Sequence, residues 1–276
     1  MTLLADLHIH TNYSDSTLSP QEVVEQANAH NLKCVSITDH DTIVGISPTR
    51  DAAQKYDLEV IPGVELSSEI HGKDVHILGY LFDYQRQDII DMLNCMQNFR
   101  VKRMGQMIEK LKAFGIDNIT LEEVCSLAKT DSVGRPHLAT VLKEKKWVPS
   151  IKVAFDKYIS EGAPAYVPKF KQTPYEAIEL IIKAGGVAVL AHPMITGVDE
   201  LIPSLVKAGL GGIEAYYPNT PSATVEFYKS LADKYGLAVT GGSDAHGNSK
   251  ENTSIGSIKI PYQCVEDLKK RVSKES

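Results

Sequence analysis

The sequence predicts an α/β fold of largely parallel strands, interrupted near its middle by a helical insertion. Three observations carry this. Short β-branched or apolar runs alternate with helical stretches in both halves of the chain. No convincing strand falls between Tyr84 and Tyr166. Histidines and carboxylates recur just after the strand runs, where a closed barrel of parallel strands gathers such residues on one face. The expected division is a barrel in two parts, residues 1–84 and 169–276, with residues 85–168 as the insertion.

In chain order, residues 3–8 are short and apolar and suit a buried strand. Ser19-Pro20-Gln21-Glu22 is a capping box with Pro at the first helical position. It starts a helix to residue 30, with Val23, Val24 and Ala27 on one face. Residues 34–38, 59–65 and 74–82 read as the next three strands. A long helix is expected over 85–114, where Ile89, Met92, Leu93, Met96, Met104, Met107, Ile108 and Leu111 recur at helical spacing. That Met-rich stripe reads as core packing. Shorter helices follow over 121–128, 136–145 and 151–158. Alternation then resumes: helix 174–184, strand 186–191, strand 212–216, helix 221–235 and strand 237–241.

Composition narrows the function. At 276 residues, with 43% hydrophobic and 23% charged residues, the chain reads as a soluble globular protein. No run approaches the about 20 apolar residues of a membrane span. The four cysteines (34, 95, 125 and 264) form no CxxC pair. The start lacks a basic, then apolar, leader. Together these give the expectation of reduced thiols in the cytoplasm. A net charge of −6 argues against duplex DNA as a partner. It leaves open a small nucleotide or a short single strand, because bound cations reverse the local field. Oligomeric state is not legible.

Six of the nine histidines sit where metal ligands are expected. His8-Ile-His10 is followed by Asp15, then Asp39-His40, Glu65, His76, His192-Pro and Asp244-Ala-His246. His8 and His10 alternate on a strand, so both imidazoles point one way. His76 is the exception, falling inside or near the start of its strand; a distorted or partly antiparallel strand is needed to bring it in. Taken singly, each residue has an ordinary structural reading. Taken together, imidazole and carboxylate without cysteine form a ligand set for Zn, Mn or Fe ions in hydrolysis.

On these residues the chain resembles the PHP family, named for polymerase and histidinol phosphatase. The resemblance implies a distorted seven-stranded (β/α) barrel holding two or three divalent metal ions (Mn, Fe or Zn). It implies that His8, His10, Glu65 and Asp244 hold one metal. Glu65, His76 and His192 hold a second, and Asp15, His40 and His246 a third. Glu65, His192, Asp244 and His246 are the expected catalytic residues. Asp39 is expected to orient an imidazole.

Within the insertion, Ser132-Val-Gly134-Arg135-Pro136-His137 places Arg135 just before a Pro-opened helix. A helix start and a planar guanidinium both suit phosphate, yet a surface salt bridge fits the residues equally well. The motif is similar to one PHP branch, the nucleoside 3′,5′-bisphosphate phosphatases that also trim short RNA from the 5′ end. By that resemblance Arg135 and His137 hold the phosphate that is not cleaved. Arg100 and Arg103 are candidates for the same cleft, and Lys169 and Lys171 for its rim. Tyr216 and Tyr217 either stack on a base or pack in the core. Competing readings are a histidinol-phosphate phosphatase, a non-catalytic PHP module and an amidohydrolase. The last normally needs a lysine or other bridging residue on a middle strand, and Glu65 occupies that place here.

Overall fold

The computed structural model of the protein describes residues 3–128, 133–168, 172–250 and 253–272. The elements run β1 (Leu4–Ile9), α1 (Pro20–Ala29), β2 (Cys34–Ile37), α2 (Ile46–Ala53), β3 (Glu59–Ile70) and β4 (Lys73–Tyr80). Helices α3 (Gln87–Lys112), α4 (Leu121–Cys125), α5 (Arg135–Glu144) and α6 (Ile151–Ala154) follow, the last running into a π-helical turn at Phe155–Ile159. Then come α7 (Pro174–Lys183), β5 (Val187–Leu190), α8 (Pro193–Thr196), α9 (Ile202–Lys207) and β6 (Gly212–Tyr216). The chain ends with α10 (Ser222–Tyr235), β7 (Ala238–Gly241), β8 (Ile260–Pro261) and α11 (Gln263–Val272).

The strands form one sheet in the order β7-β6-β5-β4-β3-β2-β1-β8. It curls into a nearly closed barrel. The count is eight rather than seven because β8, two residues long, pairs antiparallel with the start of β1. Beyond β8, the far edges meet: His10 N–H donates to the Ala245 carbonyl at 3.0 Å, and Ser243 N–H to Asp6 Oδ1 at 2.8 Å. Gly242 permits this approach, since a Cβ there would lie 2.3 Å from the His8 backbone nitrogen.

The sheet is not all parallel. β4 runs antiparallel to both β3 and β5. A tight turn at His71 and Gly72, both at positive φ, joins β3 to β4. β3 therefore continues to Ile70, five residues past its expected end at Glu65. Ser67 pairs with His76, so Glu65, Ser67 and His76 share one face. Reversing β4 is what brings His76 to the other histidines.

Two apolar clusters meet along α3. Its first half, Ile89, Leu93 and Met96, packs with Val64, Ile77 and Ile181 against the barrel. Its second half, Met104, Met107, Ile108 and Leu111, packs with Leu138, Leu142 and Ile159. Met92, expected in this stripe, is exposed instead. Capping agrees with sequence at Ser19, whose side chain and Glu22 satisfy each other's backbone N–H groups.

Candidate metal centre

One end of the barrel collects all nine expected ligands. His10, His40, His192, Asp244 and His246 lie just past strand ends, whereas His8, Glu65 and His76 lie within strands. His192, Asp244 and Asp41 take positive φ, 26°, 48° and 51°. Such backbone costs about 1–3 kcal/mol per residue and persists only where neighbours enforce it. Here they do. His192 N–H donates to Glu214 Oε2 at 2.8 Å, Asp41 Oδ1 accepts from Ser67 N–H at 2.7 Å, and Asp244 Oδ2 accepts from Tyr217 OH at 2.6 Å.

Glu65 is the hub. Its Oε1 lies 2.7 Å from His76 Nδ1 and 3.0 Å from His192 Nε2. Its Oε2 lies 3.2 Å from His8 Nε2, 3.1 Å from His10 Nε2 and 3.4 Å from His40 Nδ1. Asp244 Oδ1 is 3.3 Å from both His10 Nε2 and His246 Nδ1. Asp15 Oδ1 is 3.1 Å from His246 Nε2. Three sets bring their donor atoms within 4.8 Å of one another: His8, His10, Glu65 and Asp244; His40, Glu65 and His76; His10, Asp15, His40 and His246.

Burial and charge fit a cation cluster. Burial opposes the His8 and His10 imidazolium forms, but the carboxylates beside them win. His8 is held well above its ordinary pKa, and His10 is pushed up to about 9. Burial likewise opposes the charged forms of Asp15, Glu65 and Asp244, and neighbouring histidines outweigh it, holding all three well below the usual carboxylate range. Burial takes His40 down to about 3, so it stays neutral, as a ligand must. Protons on the imidazoles thus stand where metal charge would stand. Buried His10 Nδ1 and His192 Nδ1 have no hydrogen-bond partner among the described residues. The donor set suits divalent metal ions of the Mn, Fe and Zn type.

Sequence reading missed two contributors, Glu214 and Lys250, and gave a third, Tyr217, another role. Glu214, fully buried in β6, accepts from the His192 backbone and lies 3.0 Å from His8 Nδ1, so it orients that ring. Its signal was a lone carboxylate inside an apolar strand, which is costly unless paired. The Tyr217 hydroxyl and Lys250 Nζ both bond Asp244 Oδ2. Asp39 does not orient an imidazole: its carboxylate accepts from Thr11 N–H, Thr11 Oγ1 and Ser14 Oγ, fixing the loop after β1.

The centre opens into a cleft of about 340 Å³, lined in part by Glu65, His192, Tyr217, Lys250 and, from the insertion, Pro136. A larger cavity of about 540 Å³ lies at the other strand ends, beside Val187 and Ala238. Size therefore does not locate the chemistry; the ligand set does. Arg135 begins α5, and its guanidinium lies over Phe155 and Tyr166, 5.7 Å from each ring centre. Arg103 is 5% exposed, donates Nε–H to the Val167 carbonyl, and leaves Nη2 with no partner among the described residues. Burial, then the like charge of Arg135, pushes its pKa down to about 10, so it remains cationic. Arg100 is engaged: it pairs with Asp41 and donates to Ser67 Oγ at 2.9 Å. His137 Nδ1 accepts from Gly134 N–H at 3.0 Å, which fixes the start of α5. Tyr217 is committed to Asp244, and Tyr216 packs against the core. Ser132, Lys169 and Lys171 lie outside the described residues.

A family model for the PHP domain matches residues 6–249. The chain belongs to the PHP domain family. A 5′-3′ exoribonuclease from Haemophilus influenzae is 34% identical over 251 residues, 89% of this chain and 91% of that protein. A 3′,5′-nucleoside bisphosphate phosphatase from Chromobacterium violaceum is 30% identical over 265 residues, 94% of this chain and 93% of that one. Among solved structures, a candidate metal-dependent phosphoesterase from Bifidobacterium adolescentis superposes with a TM-score of 0.87 at 30% identity. That match covers 97% of this chain and 96% of the other. Among the described residues of this PHP chain, no helix is long and apolar enough to cross a membrane.

Proposed function

We propose that this PHP protein removes the 3′-phosphate of nucleoside 3′,5′-bisphosphates and degrades short single-stranded RNA from its 5′ end. Its class is that of a metal-dependent phosphoric ester hydrolase. The observation that carries the finer reading is the position of Arg103 and Arg135. Neither guanidinium meets a carboxylate among the described residues, and Pro136, next to Arg135, lines the cleft of the metal centre. A substrate with one phosphate at the centre and another at these arginines fits that arrangement, and the two relatives named above act on such substrates by name.

His8, His10, Glu65 and Asp244 would hold one ion, Glu65, His76 and His192 a second, and Asp15, His40 and His246 a third. Divalent ions held by these residues would ease the deprotonation of water near neutral pH and offset charge on the phosphoryl oxygens. Glu65, His192, Asp244 and His246 are the residues nearest the chemistry. Glu214 holds His8 in one orientation, and Asp39 holds the loop that carries Asp15. Arg135 and Arg103 bind the phosphate that stays, while His137 positions the start of α5. In this reading residues 85–168 act as a cap over a barrel formed by 1–84 and 169–276.

The test is phosphate release from adenosine 3′,5′-bisphosphate, 5′-phosphorylated short RNA and histidinol phosphate, with added Mn and separately with chelator. The first two should turn over and histidinol phosphate should lag. Arg135→Ala should raise KM for the bisphosphate by about 10- to 100-fold, the loss of a charge-assisted phosphate contact. Equal loss on a simple monophosphate ester would sink the clamp.

A further inference from the structure

The end of β6 and the residue after it supply no expected ligand, yet they touch three. Glu214 lies 3.0 Å from His8 Nδ1 and accepts from the His192 N–H. Tyr217, 7% exposed, donates its hydroxyl to Asp244 Oδ2 at 2.6 Å. Its ring stands edge-on to His192, the ring centres 5.6 Å apart. On a regular strand, residues three apart point to opposite faces. The β6–β7 register shifts between Glu214 and Tyr216, and such an irregularity re-aims a side chain, so both residues reach the mouth.

Lys250 joins Tyr217 at the same atom. Its Nζ bonds Asp244 Oδ2, lies 3.0 Å from the Tyr217 hydroxyl and sits over that ring, 5.6 Å from its centre. The Asp244 carboxylate is thus divided. Oδ2 takes two donors from outside the cage. Oδ1 faces inward, 3.3 Å from His10 Nε2 and His246 Nδ1 and 3.5 Å from His8 Nε2. A carboxylate can bind a cation through one oxygen or through both. An ammonium beside a place for cations also opposes metal binding by like charge. Lys250 therefore does something other than tighten the metal.

We propose that Tyr217 and Lys250 are positioning residues that hold Asp244 to one ligating oxygen, and so keep a position on its metal open to water and substrate. The inference rests on the reading of Asp244 as a metal ligand of a phosphoesterase. A catalytic metal keeps such an open position, whereas a structural one is closed by protein groups. Holding Oδ2 from outside keeps Asp244 from closing it.

The experiment removes the two donors. Tyr217→Phe keeps the ring beside His192 and loses the hydroxyl. Lys250→Met keeps the stem and loses the charge, at a side chain 39% exposed. Full-length protein is followed by chelator competition, by the visible spectrum with Co(II), and by kcat and KM for adenosine 3′,5′-bisphosphate with Mn. Lys250→Met should bind metal about tenfold tighter, because a like charge near the ion is gone. In the double variant Asp244 should chelate. The Co(II) bands should then weaken, as they do when coordination number rises, and kcat should fall about 10- to 100-fold with KM little changed. Lys250→Arg, which keeps charge and donors, should retain the unsubstituted spectrum. Looser metal in Lys250→Met, or an unaltered Co(II) spectrum in the double variant, would overturn the proposal. So would a rise in KM alone, which would make Lys250 a substrate contact. If Co(II) binds but no ester is hydrolysed, the phosphoesterase reading fails, and affinity and spectrum still decide the role of this pair. If Co(II) does not bind at all, both fall.

Discussion

The barrel mouth and the helical insertion handle charge in opposite ways. At the mouth, imidazoles and carboxylates interlock until each charge has its opposite within hydrogen-bond reach, five histidines on Glu65 alone. In the insertion, Arg103 and Arg135 face aromatic rings and backbone carbonyls; among the described residues no carboxylate forms an ion pair with either, and Asp74 acts on Arg103 only electrostatically. The first arrangement is built to exchange protons for metal cations. The second leaves two guanidinium groups without a carboxylate in contact among the described residues, which suits an anion arriving from outside. Arg100 marks the seam: it gives its charge to Asp41, so it serves as a strut between α3 and the barrel.

The largest expected effect breaks the first half of that contrast. Glu65→Gln removes the shared carboxylate and should lower turnover on the order of 10³-fold, several kcal/mol of transition-state stabilisation. Elemental analysis should show fewer bound ions per chain. Full metal content with normal turnover would mean that Glu65 is only a structural hydrogen-bond acceptor. Glu214→Gln is milder, because Glu214 touches His8 through the far ring nitrogen. It should cost about 10- to 100-fold in metal affinity or activity. An effect as large as that of Glu65→Gln would make Glu214 a ligand.

Proton exchange at the mouth predicts a pH dependence for the metal-free protein. His10 has a folded pKa of about 9, above its ordinary value of 6.5. Its contribution to stability is therefore fully present below about pH 6.5 and is lost as pH rises through 9. His8 is raised in the same sense. The chelated protein should melt several degrees lower at pH 9 than at pH 6.5, and Mn should abolish most of that difference. A melting temperature flat across this range, without metal, would show that the carboxylates do not hold those protons.

The legibility of the two regions differs for the same physical reason. Ligand chemistry is written in residue type, so His8, Glu65 or Asp244 stands out wherever the chain folds. The reversal of β4 is not written that way: it depends on pairing between β3 and β4, and only the awkward position of His76 hinted at it. β8 is too short to have a period, and its existence depends on the edge of β1 that it covers. Met92 followed the helical spacing of its neighbours but lies on the outer side of α3, within the half whose other face packs on the barrel. Asp39 was expected to orient an imidazole; its actual partners, Thr11 and Ser14, come from a loop whose path sequence does not give. Lys250 resembles any surface lysine until its contact with Asp244 is seen.

Salt gives the smallest effect and separates the regions without altering either. The charges at the mouth are buried and mutually paired, and ions in solution screen such pairs weakly. Arg135 is partly exposed and makes its proposed contact with a substrate that comes from solvent. Raising salt from about 0.05 to 0.5 M should therefore raise KM for adenosine 3′,5′-bisphosphate by about threefold, with kcat nearly unchanged. The Arg135→Ala protein should lose most of that salt dependence, since the contact being screened is gone. If kcat falls with salt as steeply as KM rises, the mouth itself is open to screening, and the division between a self-compensated centre and a clamp that waits for an outside anion does not hold.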